Sequence, residues 1–293
     1  MAVPARSLPL PEFDDEDHLT LRDFQRISLL IGERVGIKLP PAKRVMLEGR
    51  LRKRVRSLEL TDFADYSAYL FERGGLDSEL PHLINAVTTN KTDFFREPEH
   101  FEVLVHKLVP ALLAERRGER QPLLKIWSAA ASTGAEAYTI AMVMNDLAAQ
   151  RRDLRYAILG TDISTAVLEQ AELAIYPADM IHPVPADKAA RYVMQARRPG
   201  LRAEVRIAPE LRKRVQFAHL NLMDESYPFD RDVDVIFLRN VLIYFDKTDQ
   251  AAVITRLVGH LRPRGYLILG HSESMIGTSI TMRQVAPAVF QKV

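Results

Sequence analysis

The chain of 293 residues contains no cysteine. That excludes disulfides, thiolate catalysis and cysteine metal ligands, and it accords with a cytoplasmic setting. No apolar run approaches the roughly 20 residues that a membrane helix needs, so direct membrane insertion is not expected. Residues 1–17 are rich in proline and acid and lack the apolar stretch of a secretory signal, so a flexible arm is expected there. Excess charge is scarce as well: 40 Lys and Arg against 38 Asp and Glu leave +2, too little to argue for nucleic acid. What remains is 47% hydrophobic and 27% charged, an ordinary globular balance in a chain long enough for two domains.

Residues 18–87 read as an all-helical domain. Thr20 suits the N-cap of a helix through Leu21, Phe24, Ile27, Leu30 and Ile31. Pro40-Pro41 opens a second helix with Val45, Leu47, Leu51 and Val55 as its expected buried positions. Thr61 opens a third that stops at Gly74-Gly75, and a fourth begins near Asp77. After residue 120 strands alternate with helices. Strands are expected at 123–127, 155–160, 214–218, 233–238 and 265–270, with a closing pair at 281–285 and 287–292. Helices are expected at 135–150, 164–175 and 247–262. This alternation predicts a doubly wound, mostly parallel α/β sheet over 88–293, ending in an antiparallel hairpin. Prolines at 177, 183, 185, 199 and 209 interrupt the pattern, and a small inserted β-subdomain is expected over about 177–216.

Several places could carry chemistry. The small-residue loop Ser128–Gly134 links a strand to a helix, with one glycine instead of the three of a dinucleotide turn. It therefore suits close backbone approach by a phosphate-free cofactor better than a pyrophosphate. Glu136 in the next helical turn could hold an ammonium, or only favour the helix dipole. Asp162, ending the second strand, could accept two ribose hydroxyls, or only cap the following helix. The string Thr88 to Arg96 reads as a polar lid or as a linker, with Arg96 suited to a carboxylate. Arg239, Asn240 and Tyr244 follow the fourth strand, where ligands of open α/β sheets sit, and Asn221-Leu222 could meet a purine. His271-Ser272-Glu273 reads as structural or as support for the site. The second helix carries seven cations between Lys43 and Arg56 against Glu48; Arg50, Lys53 and Arg54 share a face that suits an acidic partner or is simply solvated.

Together these strings resemble the chemotaxis receptor glutamate methyltransferases, the CheR family. TTNKTDFFR, WSAAASTG with its following Glu and Tyr, GTDIS, NL and FLRNVLIYFD occur in the family's order at compatible spacing, over nearly the whole chain. The resemblance implies a class I S-adenosylmethionine methyltransferase fold and transfer of a methyl from S-adenosylmethionine to receptor glutamates, leaving S-adenosylhomocysteine, without a metal. It implies that Asn90, Thr92, Arg96, Glu136, Asp162, Asn221, Leu222, Arg239 and Asn240 line the cofactor, with Arg96 and Tyr244 nearest the transferred methyl. It also implies a cytoplasmic enzyme, expected to be a monomer. Its partners would be the helical region of methyl-accepting receptors, met by the helical domain, and a receptor tail peptide on the β-subdomain. The chain departs from the family at Ala135, usually glutamate, and at Ala137, usually proline. A catalytically silent cofactor-binding signalling module and a small-molecule O-methyltransferase are the rival readings.

Overall fold

The computed structural model describes residues 17–119, 121–151, 154–195, 203–275 and 280–293, so the expected arm lies outside the described residues except for Asp17. The chain forms two compact units, Met1–Thr88 and Thr89–Val293.

The first unit is helical. Helix α1 (Leu21–Val35) is capped by Thr20, whose side chain accepts from the Asp23 amide, and ends at Gly36 with φ 72°. A 3-10 turn, Pro41–Lys43, leads into α2 (Arg44–Ser57). Then follow α3 (Phe63–Phe71), capped by Asp62, and α4 (Leu76–Val87). Leu47, Leu51 and Val55 form the buried stripe of α2. At i, i+4, i+8 spacing each such side chain contributes about 1.5–3 kcal/mol of burial. Val45, expected beside them, is instead 71% exposed. Two residues before Leu47 is half a turn away, so it faces outward.

The second unit holds the sheet. A largely apolar helical stretch comes first: α5 (Glu99–Val103), a π-helical stretch over Leu104–Leu108, and α6 (Val109–Glu115). No element is expected there from the sequence analysis, although Phe101, Leu104, Leu108 and Leu112 recur at helical spacing and are buried. The main elements are β1 (Leu123–Ala129), α7 (Ala135–Gln150), β2 (Arg155–Asp162) and α8 (Thr165–Leu173). The inserted part contains β3 (Ile175–Pro177), α9 (Ala186–Tyr192), β4 (Val193–Gln195) and β5 (Glu204–Ile207); α10 (Pro209–Arg212) returns the chain to the main sheet. Then come β6 (Val215–His219), β7 (Val233–Leu238), α11 (Lys247–His260), β8 (Leu261–Leu269), β9 (Met282–Ala286) and β10 (Val289–Lys292).

The seven-stranded sheet runs β6-β2-β1-β7-β8-β10-β9, and a separate three-stranded sheet runs β3-β5-β4. Neighbours from β6 through β8 pair in parallel; β10 pairs antiparallel with β8 and β9. All six residues of β7 are buried, as a central parallel strand requires. This is the expected architecture: a helical domain, a mostly parallel sheet with an antiparallel hairpin, and a small separate β-sheet. The order reverses between β1 and β7. A ligand crevice opens outside the carboxyl ends of strands at such a switch point. Among the described residues no helix is long and apolar enough to cross a membrane.

Candidate functional site

The loops leaving β1, β2 and β7 at the switch point carry most of the residues singled out in the sequence. Ser128–Gly134 turns tightly. Ala130 and Ser132 have φ of 60° and 51°, and Gly134 has φ of 86° at the start of α7. A side chain at Gly134 would be strained by that φ, and its Cβ would stand 3.0 Å from both Ala171 and Phe217. Asp162 Oδ2 accepts the Ser132 amide at 2.8 Å, and Oδ1 accepts the Ser164 amide at 2.9 Å. The helix cap itself is Ser164, whose hydroxyl accepts from Val167, so the capping alternative for Asp162 does not describe what it does. Asp162 is 8% exposed; burial pushes its carboxyl up, and the amides of Ser164, Ser132 and Ile163 oppose that. Three amides against about four lone-pair sites leave room for a hydroxyl donor.

Arg239, at the tip of β7, is the hub. Its Nη1 donates to Glu136 Oε2 at 3.0 Å, and its Nη2 donates to Glu97 Oε2 at 3.0 Å and to the Arg96 carbonyl. Glu136 Oε1 accepts the Ser128 hydroxyl at 2.7 Å, and Asn240 Nδ2 donates to Glu97 Oε1 at 3.3 Å. The segment before α5 is pinned to the same place. Ser132 Oγ donates to the Asn90 carbonyl at 2.9 Å, and the Phe95 amide donates to Thr139 Oγ1 on α7 at 3.1 Å. Two sets of hydrogen bonds thus gather these residues: Asp162 and Asn90 around Ser132, and Glu136, Arg96 and Asn240 around Arg239 and Glu97. Phe95, Glu97, Ala130, Ser132 and Asn240, five of the nine non-glycine residues with positive φ among those described, lie in these loops. Such backbone strain collects at ligand sites.

The other expected residues are nearby in sequence but outside these contacts. Leu222 is buried, with its carbonyl accepting the Tyr227 hydroxyl at 2.8 Å, and Asn221 Oδ1 accepts the Met223 amide. Thr92 is half-buried, and so is Tyr244 on the 3-10 turn Leu242–Tyr244. Ala135 is fully buried in the core cluster, while Glu136 reaches Arg239.

Glu97 is the residue that the sequence analysis missed, although it directly follows Arg96. Burial alone would raise its carboxyl, but the hydrogen bond and charge of Arg239, with Asn240, hold it below the usual range. His100 is 1% exposed, neither ring nitrogen has a hydrogen-bond partner, and burial, then Arg239, lowers its pKa to about 4. Glu97, His100 and His271 bring ligand-type atoms within 4.8 Å of one another. Both Glu97 oxygens are already engaged, and the Arg239 guanidinium would oppose a metal cation there.

A cofactor with an amino-acid end and a ribose fits this arrangement. Thr133 Oγ1 and Arg239 Nε are buried without partners. Buried polar atoms of that kind are costly unless a ligand satisfies them. Arg239 and Glu136 offer opposite charges for a carboxylate and an ammonium, and Asp162 offers acceptors for a diol.

In the helical unit, the three expected docking cations differ. Arg50 Nη1 donates to the carbonyls of Ala86 and Thr88, both at 2.8 Å, at the C-terminal end of α4. Arg54 binds Glu79 through Nε at 2.9 and 3.1 Å. Lys53 is exposed.

Comparison with known proteins shows the family. Residues 90–289 match the family model "CheR methyltransferase, SAM binding domain", and residues 22–88 match "CheR methyltransferase, all-alpha domain". Chemotaxis protein methyltransferase 2 of Pseudomonas aeruginosa is 37% identical over 285 residues, covering 97% of this chain and 98% of that protein. The chemotaxis protein methyltransferase of Escherichia coli is 42% identical over 262 residues, covering 88% and 87%. That of Borreliella burgdorferi is 33% identical over 282 residues, covering 96% and 98%.

Proposed function

The chain belongs to the CheR methyltransferase family, and from that premise we propose that it converts glutamate side chains of chemotaxis receptors into methyl esters for sensory adaptation. The observation that carries this reading is Arg239, shared between Glu136 and the Arg96–Glu97 loop, with Asp162 at the end of β2, on the other side of β1. When bound, S-adenosylmethionine supplies a methyl already activated by the sulfonium. The reaction therefore requires neither a metal nor a general base, because the acceptor glutamate, with an ordinary pKa of about 4.3, is ionised at neutral pH. Glu136 takes the ammonium of the cofactor, Arg239 its carboxylate, Asp162 its ribose, and Asn221 and Leu222 its base. Asn90, Thr92 and Asn240 complete the lining. Arg96 and Tyr244 align the acceptor oxygen, and such placement is worth up to about 7–11 kcal/mol in ideal cases.

The basic side of α2 would steer an acidic receptor helix to the enzyme. Arg50 and Arg54 also serve the helical unit, so Lys53→Glu tests steering without breaking those contacts. It should raise the receptor KM a few-fold at low salt, an effect that salt screens. An unchanged KM at low salt removes Lys53 from docking. Strand β4 is an edge of the small sheet. An edge strand can accept a receptor tail peptide by β-addition. A cytoplasmic monomer that binds no nucleic acid completes the reading.

The deciding experiment is methyl-labelled S-adenosylmethionine with receptor-containing membranes. Base-labile label on receptor protein is expected, and Arg96→Ala and Tyr244→Phe should each lower it while leaving S-adenosylhomocysteine binding largely intact. Cofactor binding with no label on receptor would overturn the reading.

A further inference from the structure

Glu273 lies just beyond β8 and is 9% exposed. Its carboxylate accepts four backbone N–H groups. Oε2 takes Gly270 at 2.8 Å and Asn240 at 2.9 Å; Oε1 takes Val241 and Leu242, each at 2.8 Å. Three of the four donors belong to the turn that leaves β7 and carries Asn240 and Tyr244. Among the described residues no lysine or arginine pairs with this carboxylate; backbone dipoles alone oppose the burial that pushes its pKa up. The turn has reason to need such a clamp. Asn240 has φ of 59°, in the left-handed region, and adjacent amides that all converge on one point have no helical or strand partner. Gly270 keeps the space open. A Cβ there would stand 2.7 Å from Asn240 Nδ2, 2.9 Å from Glu273 Oε2 and 3.0 Å from the Asn240 amide.

We propose that Glu273 is a positioning residue for methyl transfer: by gathering the amides of Asn240, Val241 and Leu242 it sets where Asn240 meets the cofactor and where Tyr244 meets the acceptor. The inference rests on the roles proposed above for Asn240 and Tyr244. Glu273 touches no reactant itself. Its neutral isostere, Glu273→Gln, keeps the shape but turns an N–H donor toward amides that are themselves donors. A displacement of the order of 1 Å in a positioned group can cost about 100-fold in rate.

At saturating cofactor and receptor, Glu273→Gln should lower kcat about 100-fold per folded molecule. It should also weaken S-adenosylhomocysteine binding by a smaller factor. Glu273→Asp, which retains the charge but is one methylene shorter, should recover part of the loss. Gly270→Ala, which leaves Glu273 in place and crowds it, should lower kcat too. A purely fold-stabilising Glu273 would lower the melting temperature and leave kcat within twofold of wild type, and that result overturns the proposal. Amide exchange in the wild-type protein can still overturn the proposal even if Glu273→Gln fails to fold. The amides of Asn240, Val241 and Leu242 should exchange slowly, and fast exchange there overturns the proposal. Loss of receptor labelling by the wild type, with these amides protected and S-adenosylhomocysteine still bound, would count against the receptor reading and not against Glu273.

Discussion

Arg54 in the helical unit, 28% exposed, and Arg239 in the sheet unit, 2% exposed, both bind carboxylates, but they differ in what is left over. Arg54 meets one carboxylate through both Nε and Nη2, and its Nη1 reaches Ser57 Oγ at 3.3 Å. Its partner Glu79 is fully buried and also accepts the Tyr66 hydroxyl at 3.3 Å. Every nitrogen of Arg54 is used, between two helices, α2 and α4. Arg239 is divided among Glu136, Glu97 and a carbonyl; its Nε is buried without a partner, and its neighbours Glu97 and Asn240 have positive φ. A saturated pair between helices specifies a fold. An unsaturated one on strand-end loops leaves hydrogen-bonding capacity that a ligand could take.

The sharpest way to test this contrast is to remove Arg54. Arg54→Met leaves Glu79 fully buried without a counter-charge, held only by the Tyr66 hydroxyl, which should cost about 3–5 kcal/mol of stability. The Kd for S-adenosylhomocysteine should stay at the wild-type value under conditions where the protein is folded. Denaturant unfolding and calorimetric binding read the two quantities. A stability loss below 1 kcal/mol, or a large rise in Kd, would end the distinction.

Arg239→Gln should do the reverse. Glu136 keeps Ser128 and Glu97 keeps Asn240, so neither carboxylate is stranded. The cofactor loses a charge-assisted hydrogen bond worth about 1.5–3 kcal/mol, so binding of S-adenosylhomocysteine should weaken by about 10- to 100-fold. Stability should change less than in Arg54→Met. A wild-type Kd would show that the free Nε reports packing and not a waiting ligand.

The same contrast explains what could be read from the sequence. The strands of the sheet were legible because buried parallel strands are short apolar runs, and β7 carries no polar residue except Asp234. Glu136, Asp162, Arg239 and Asn240 were legible because they sit at fixed offsets from strand ends. Glu97 was not, because its role depends on a partner 142 positions away, Arg239, which only the fold supplies. The pairing of Arg54 was hidden for the same reason. It reads as one more cation on a basic face until Glu79, 25 positions on, is seen beneath it. Ala135 suggested a lost charge in the site, whereas its side chain packs into the core. The stretch 99–115 carried a helical pattern in plain view, with Pro110 at the start of α6, where a missing amide donor is tolerated.

His100 gives the smallest effect and extends the contrast to pH. It is buried with neither ring nitrogen hydrogen-bonded and Nδ1 3.4 Å from Glu97 Oε2, and burial followed by the Arg239 charge outweighs Glu97 and lowers its pKa from 6.5 to about 4. As pH falls below 6.5 the unfolded chain binds a proton that the folded chain refuses, so the neutral ring's contribution to stability is present above that pH and lost as pH falls toward 4. At pH 5 the loss attributable to this one group is at most about 2 kcal/mol, a few degrees in melting temperature for a unit of this size. His100→Gln cannot titrate, so its melting temperature should fall less than that of the wild type between pH 7 and pH 5. Equal falls would mean that His100 finds a proton partner in the folded protein, and the crowding of positive charge around Arg239 would then be weaker than its buried position implies.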